Sequence, residues 1–350
     1  MRLVARIVPY DLALIKPAKT SRNTLTHKKL FILELREGDH IAYGEISPFE
    51  GLSVDDRPEF ELKLNEVINS INEGNDPREF DLANWPSIRF GLESALRGLA
   101  FDSPFTFFDT PFTKGQQAIP INGLIWMAPK EEMLEQIEAK IAQGFNCIKM
   151  KVGALDFDEE CRLLEAVRKR YSAFQIELRV DANGAFPAAD ALAMLKDLHR
   201  FELHSIEQPI KAGQWDAMAK LCRESKLAIA LDEELLGIHP EQEGKAMLTQ
   251  IRPPYIILKP GLLGGFEISD QWIAEANRVE AGWWVTSALE SNIGLNAIAQ
   301  YTASLQTSLP QGLGTGQLYH NNIASPLEIQ AGTLRWNSNL KWELPKSLQG

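Results

Sequence analysis

Cysteine is scarce in this chain. There are three in 350 residues, Cys147, Cys161 and Cys222, an odd number with no ligand-like spacing. That pattern excludes a disulfide framework and a cysteine-based zinc site, and is expected of reduced thiols in a cytoplasmic protein. No stretch of eighteen apolar residues occurs, so neither a spanning helix nor a membrane partner is expected. The opening MRLVARIVPYDLALIKPAKT lacks a long apolar segment and a small-residue cleavage site, so no export signal is expected. A basic excess is missing too: 36 Lys and Arg stand against 47 Asp and Glu, a net charge of −11. This argues against nucleic acid as a partner. The remainder is ordinary globular usage. With 45% hydrophobic residues, 16 Phe and 8 Trp, the chain has ample material for a core. Its length suits about two domains.

Two organisations follow one another along the chain. In residues 1–115, RLVARIVP (2–9) and KKLFILEL (28–35) read as strands, with YGEISPF as a third. The polar segment 17–27 lacks periodicity and reads as a loop. DDRPEFELKLNEVINSINEG and SIRFGLESALRGLAFDS carry apolar residues at helical spacing. This part is α+β. From residue 116 to 319, strand-like runs alternate with amphipathic helical stretches. The runs are AIPINGLIW, NCIKMKV, QIELRVD, HSIEQP, AIALDE, PYIILKP, GWWVTSA and QGLGTG, eight in all. Asp156 with Glu159 reads as a capping box, and Pro187 as a first-turn proline before ADALAMLKDLH.

The polar residues that end successive strands are Lys151, Asp181, Glu207, Asp232, Lys259 and Ser287, at spacings of 30, 26, 25, 27 and 28. That is the length of a βα unit, and eight such units close a (β/α)8 barrel. A doubly wound sheet would be expected to carry a glycine-rich turn after its first strand, and NGLIWMAPKEE has one glycine. The tail from about 320 to 350 is expected to return to the N-terminal part.

In such a barrel the site lies at the C-terminal strand ends. Three carboxylates, Asp181, Glu207 and Asp232, end three consecutive strands, and adjacent strands lie about 4.8 Å apart. Crowded anions need an offset, and a hard divalent cation such as Mg²⁺ is the natural one. The alternative is three solvated loop acids, which leaves their spacing unexplained. Lys149 and Lys151 share one side of their strand. Lys151 and Lys259 flank the acids, and a desolvated lysine beside a cation can serve as a base.

The motifs IKMKVG, RVDANG, SIEQPI, LDEE, ILKPGLLGG and TSALESNIG, in this order, resemble the enolase superfamily in its muconate-lactonizing-enzyme branch. TSALESNIGLNAIAQ and GLGTGQLYHNNI most resemble its o-succinylbenzoate synthase family. The resemblance implies an α+β capping domain made by residues 1–115 and completed by the tail. It implies Mg²⁺, with Mn²⁺ as a possible substitute, on Asp181, Glu207 and Asp232, and Lys151 as acid/base opposite Lys259. Lys149, Asn183, Glu233, Ser287, Glu290 and Ser291 fall to substrate binding or to support of the ligands. Ser291 alone reads equally as a helix N-cap. The implied reaction is dehydration of a small carboxylate, 2-succinyl-6-hydroxy-2,4-cyclohexadiene-1-carboxylate.

Racemisation of N-succinylamino acids, or another racemisation or cycloisomerisation of the muconate-lactonizing-enzyme kind, is the alternative within the superfamily. Dipeptide epimerisation is disfavoured, because GLGTGQLYH has no acid to hold a free amine. A metal-free Schiff-base lyase would leave the three acids without a purpose, and a non-catalytic barrel would not need five polar strand ends. Pro17–His27 and Pro48–Ser53 resemble lid loops. Trp126, Trp283 and Trp284 read as barrel packing. Gly312, Gly314 and Gly316 suit either a tight closure or a close approach to a carboxylate.

Overall fold

Alternating apolar residues over the first 46 positions build an antiparallel meander of β1 (Leu3–Lys19), β2 (Thr24–Glu37) and β3 (His40–Ile46). The structure, a computed structural model, describes residues 2–19, 24–153 and 156–348. Both faces of the meander are apolar, as a period of two allows. Leu33, Leu35 and Ile46 pack on α1 (Phe60–Glu73) and α2 (Pro86–Gly98). Leu12, Leu30 and Ile32 face Ile293, Tyr319, Ile323 and Leu348 from the far end of the chain. β3 and α2 approach so closely that a Cβ on Gly44 would lie 1.9 Å from the Gly91 carbonyl oxygen. Only glycine fits there.

The second part is a curled parallel sheet. Its strands are β5 (Gly123–Ile125), β6 (Cys147–Lys151), β7 (Glu177–Asp181), β8 (Ser205–Glu207), β9 (Ile229–Leu231), β10 (Tyr255–Leu258) and β11 (Gly282–Val285), paired in sequence order. The helices between them are α3 (Lys130–Ala142), α4 (Phe157–Arg170), α5 (Ala191–His199), α6 (Trp215–Glu224), α7 (Lys245–Ile251), α8 (Pro260–Leu263), α9 (Phe266–Arg278) and, after β11, α10 (Asn292–Ser304). Ile148 and Met150 of β6 turn outward to Leu163, Leu164 and Val167 of α4, so Lys149 and Lys151 turn inward. Burial of this large apolar interface, at about 25 cal/mol per Å², is what holds helices on sheet.

Four sequence expectations are corrected by the structure. The polar segment 17–27 is no plain loop: Pro17–Lys19 and Thr24–His27 are strand, paired across the hairpin, while 20–23 lie outside the described residues. AIPINGLIW is two strands. Ala118–Pro120 (β4) pairs antiparallel with Thr333–Trp336 (β13) of the tail, which also pairs with Leu327–Gln330 (β12). Pro120 has no N–H to continue a ladder, and the chain changes sheets there. QGLGTG is not a regular strand. Only Gln311 and Gly312 bridge, but they join both sheet edges: Asn122 N donates to Gln311 O at 2.9 Å and Gly312 N to Val285 O at 2.8 Å. A Cβ on Gly312 would meet Thr286 Oγ1 at 2.5 Å, so this joint is too tight for a side chain. Pro187 opens a turn, and α5 begins four residues later, at Ala191.

Asp156 caps α4 by accepting from the backbone of Asp158 and Glu159. The tail divides its contacts: β13 pairs with β4 and carries β12 on its other edge, while Trp342, Leu344 and Leu348 pack on the N-terminal meander.

Candidate active site

Register places the functional side chains in one row. Lys151 is the cross-strand partner of Asp181, and Asp181 of Glu207, while Asp232 and Lys259 stand one residue beyond β9 and β10. Asp181, Glu207 and Asp232 are buried and each offers an oxygen within 4.8 Å of the others. Three ammonium groups answer them. Lys149 bonds Glu207 and lies 3.0 Å from Asp181, Lys151 donates to Asp181 at 2.6 Å, and Lys259 bonds Asp232. One oxygen remains over: Glu207 Oε1 is buried without a hydrogen-bond partner. An orphaned carboxylate oxygen facing two other carboxylates has the chemistry of a hard-cation ligand set.

The electrostatics agree. Burial and the charges of Asp181 and Asp232 push the Glu207 carboxyl up, against the pull of Lys149. Burial would also raise Asp181, but Lys149, Lys151 and Lys259 overrule it and hold that carboxyl well below the usual range. Burial alone would lower Lys149, yet the three carboxylates outweigh it and hold its ammonium raised. Lys149 is thus held as a cation among the carboxylates. Beneath it, Arg179 is fully buried. It donates to Pro310 O at 2.9 Å, pairs with Glu177 at 2.7 Å and lies over the Trp284 ring at 4.3 Å.

Asn183 ties two strand ends together. Its Oδ1 accepts from Lys151 at 2.8 Å and its Nδ2 donates to Glu233 at 3.0 Å. Its φ of +46° puts a non-glycine residue in the left-handed region, a conformation held at some cost beside the acids. Gln208 does the same one strand over and went unread in the sequence. At φ +35°, its Oε1 accepts from the backbone of Asp232 and Glu234, and its Nε2 donates to Glu234. A buried amide directly after a strand-end acid was the available signal.

These groups floor a cavity of about 270 Å³. Lys149, Lys151, Asn183 and Lys259 line its base, and Ser287 lines its side, bonded at 2.6 Å to Thr315 Oγ1. Phe49, Leu52, Leu124, Trp126 and Leu289 make it apolar above. Trp126 therefore faces the cavity, contrary to its reading as packing, whereas Trp284 packs on Tyr255 and His204. Gly312 and Gly314 line it as well, and the former also serves the closure. The segment 49–52 of the second expected loop forms part of the wall, with Gly51 at φ +72°.

Glu290 and Ser291 sit behind this wall and do not face the cavity. Glu290 accepts from Ala288 N at 2.6 Å, and Ser291 caps α10 through Ile293 N. The helix N-terminus that could have held a substrate carboxylate holds Glu45 instead. Its oxygens accept from Ser291 N at 3.0 Å, Ser291 Oγ at 2.5 Å and Gly294 N at 2.9 Å.

Residues 132–339 match the family model described as Enolase C-terminal domain-like, and residues 2–99 match that of the MenC N-terminal domain. The chain belongs to the enolase superfamily. An o-succinylbenzoate synthase of Desulfotalea psychrophila is 47% identical over 93% of this chain and 96% of its own length. The crystal structure of MenC from the same organism superposes with a TM-score of 0.86 at 43% identity, covering 96% of this chain and all of that one. A dipeptide epimerase from Enterococcus faecalis, solved with Mg and a dipeptide, shares the fold alone: TM-score 0.81, 17% identity, 96% and 98% covered.

Proposed function

We propose that this protein is an o-succinylbenzoate synthase, a hydro-lyase that dehydrates 2-succinyl-6-hydroxy-2,4-cyclohexadiene-1-carboxylate to 2-succinylbenzoate in menaquinone biosynthesis. The observation that carries it is the row of three buried carboxylates between Lys151 and Lys259, in a chain 47% identical to a synthase of that name. Asp181, Glu207 and Asp232 hold Mg²⁺, for which Mn²⁺ can substitute. When bound, the cation supplies positive charge to the substrate carboxylate as that group gains electron density.

The chain's own residues do the rest. Lys151 Nζ takes the proton α to the ring carboxylate. The electron pair moves toward that carboxylate, and Lys259 holds a positive charge on the other side. The pair then returns to the ring as the neighbouring C–O bond breaks, and Lys151 gives its proton to the departing hydroxide. Substrate and products balance as one diene, one aromatic ring and one water. Lys149 stays protonated and keeps Glu207 and Asp181 in place. Asn183, held by Glu233, fixes the Lys151 ammonium.

Residues 1–115, with the tail from about 320, act as the capping domain over a (β/α)8-type barrel of 116–319. Support comes from residues 49–52 in the cavity wall and from an apolar cluster made wholly of residues of the first part. Three free thiols favour a cytoplasmic setting, and among the described residues no helix is long and apolar enough to cross a membrane.

The decisive experiment is turnover of the cyclohexadiene against racemisation of N-succinylamino acids, each with Mg²⁺ and with EDTA. Mg²⁺-dependent aromatisation is expected. Racemisation without dehydration would replace this reading with the racemase one, which the same pair of flanking lysines could serve.

A further inference from the structure

One stretch of cavity wall is held in a conformation it would not choose. Leu289 has φ +66°, a left-handed region that a γ-branched side chain occupies only at a cost. Ala288 and Leu289 both face the cavity. The polar atoms of this turn are clamped from three directions. The Ala288 carbonyl accepts from Lys28 Nζ at 2.9 Å, the Ala288 N–H is taken by Glu290 at 2.6 Å, and the Leu289 carbonyl accepts from the Tyr319 hydroxyl at 2.7 Å.

Lys28 is the unusual member. It stands on β2, 260 residues from its partner, and only 6% of it is exposed. A buried ammonium is a costly way to hold a turn, and the charges of Glu290, Glu45 and Asp55 offset only part of that cost. Its second contact explains the choice: Nζ lies 4.5 Å from the centre of the Phe49 ring. Phe49 is the other side of the same cavity, at the start of the 49–52 wall. One cation therefore fixes two facing wall elements, one carried by the N-terminal part and one by the end of β11.

We infer that Lys28 is a positioning residue that sets the distance between Phe49 and the Ala288–Leu289 turn, and so the fit of the apolar part of the substrate. This rests on the synthase reading above. Lys28 does not face the reacting atoms at Lys151, so its loss should weaken ground state and transition state alike.

The test is steady-state kinetics of dehydration with four proteins: wild type, Lys28→Met, Lys28→Arg and Tyr319→Phe, each checked by a cooperative melt. Lys28→Met should raise KM about tenfold and leave kcat within threefold. Lys28→Arg, which can still donate to the carbonyl and lie over Phe49, should recover most of the KM. Tyr319→Phe keeps every apolar atom and loses only the bond to Leu289, so it decides the matter if Lys28→Met does not fold; it too should raise KM more than kcat falls. A KM within twofold of wild type in a folded Lys28→Met or, failing that, Tyr319→Phe overturns the inference, as does a fall in kcat at constant KM. Wild type without dehydratase activity overturns the parent reading instead, and this inference with it.

Discussion

Glu45 offers a measurement in which one buried carboxyl reports on the joint between the two parts of the chain. It is fully buried, receives three hydrogen bonds at the start of α10, and shares its surroundings with Glu290. Burial first, and the Glu290 charge second, push its carboxyl up to about 7, from an ordinary value of 4.5, despite the bonds from Ser291 and Gly294. A carboxyl raised in the folded state binds its proton more tightly there than in the unfolded chain. Its contribution is therefore full below the unfolded value and is lost as pH rises through the folded one. With values of 4.5 and about 7, linkage gives a loss of about 2.5 kcal/mol between pH 5 and pH 8.

Glu45→Gln cannot titrate. Its amide still accepts at one oxygen but turns an N–H₂ toward a backbone donor, at a cost of about 1–3 kcal/mol that does not depend on pH. Urea unfolding of both proteins at pH 5 and pH 8 isolates the effect, because every other titrating group is common to the two. The stability gap, wild type minus Glu45→Gln, should shrink by about 2.5 kcal/mol from pH 5 to pH 8. A gap that is the same at both pH values would mean that Glu45 is ionised throughout and that the helix N-terminus outweighs burial.

The remaining predictions concern the cavity floor and what lies under it. Asp181→Asn, Glu207→Gln and Asp232→Asn should each abolish dehydration and weaken Mg²⁺ binding at least tenfold by calorimetry; activity within a few-fold of wild type would remove that residue from the ligand set. Lys151→Arg should be inactive and Lys259→Arg should retain measurable dehydration, because only the first position must shed its proton. Deuterium exchange at the α carbon of an unreactive analogue that survives in Lys151→Arg and vanishes in Lys259→Arg would exchange the two roles. Arg179→Met should cost roughly 2–3 kcal/mol in urea unfolding, less than a fully buried broken pair because Glu177 keeps some water; a change below 0.5 kcal/mol would mean that Arg179 does not hold the barrel floor.

The parts legible in the sequence were those governed by period and spacing. A βα unit has a nearly fixed length, so strand ends recur every 25–30 residues and their polar residues stand out. Register then does the rest: Lys151, Asp181 and Glu207 are adjacent because the parallel pairing carries no slip. Local composition misled where pairing was remote. Residues 17–19 and 24–27 lack a clear apolar period, yet they are strand because Ala18 pairs with Leu25, Lys19 with Thr24 and His27 with Ala13 across the hairpin. AIPINGLIW is apolar but for Asn122, yet it breaks at Pro120, where the partner changes from a strand more than two hundred residues further on to β6.

The same contrast divides the site. Groups that act through chemistry of their own kind, such as three acids ending three strands, announce themselves by type. Groups that act by holding backbone do not, because Lys28, Glu45 and Tyr319 are unremarkable until the turn they clamp is known. Ser291 shows the limit from the other direction. A serine before a helical stretch correctly reads as an N-cap, and an anion at that N-terminus follows from its free N–H groups. Whether the anion is a substrate or a side chain is settled by a residue 246 positions away, Glu45. With that terminus filled, the positive charge left facing the cavity is that of Lys149, Lys151 and Lys259. Any second carboxylate on the substrate must then be met by neutral donors, and Asn122, Asn183, Thr286, Ser287 and Thr315 are the neutral polar side chains that line the cavity.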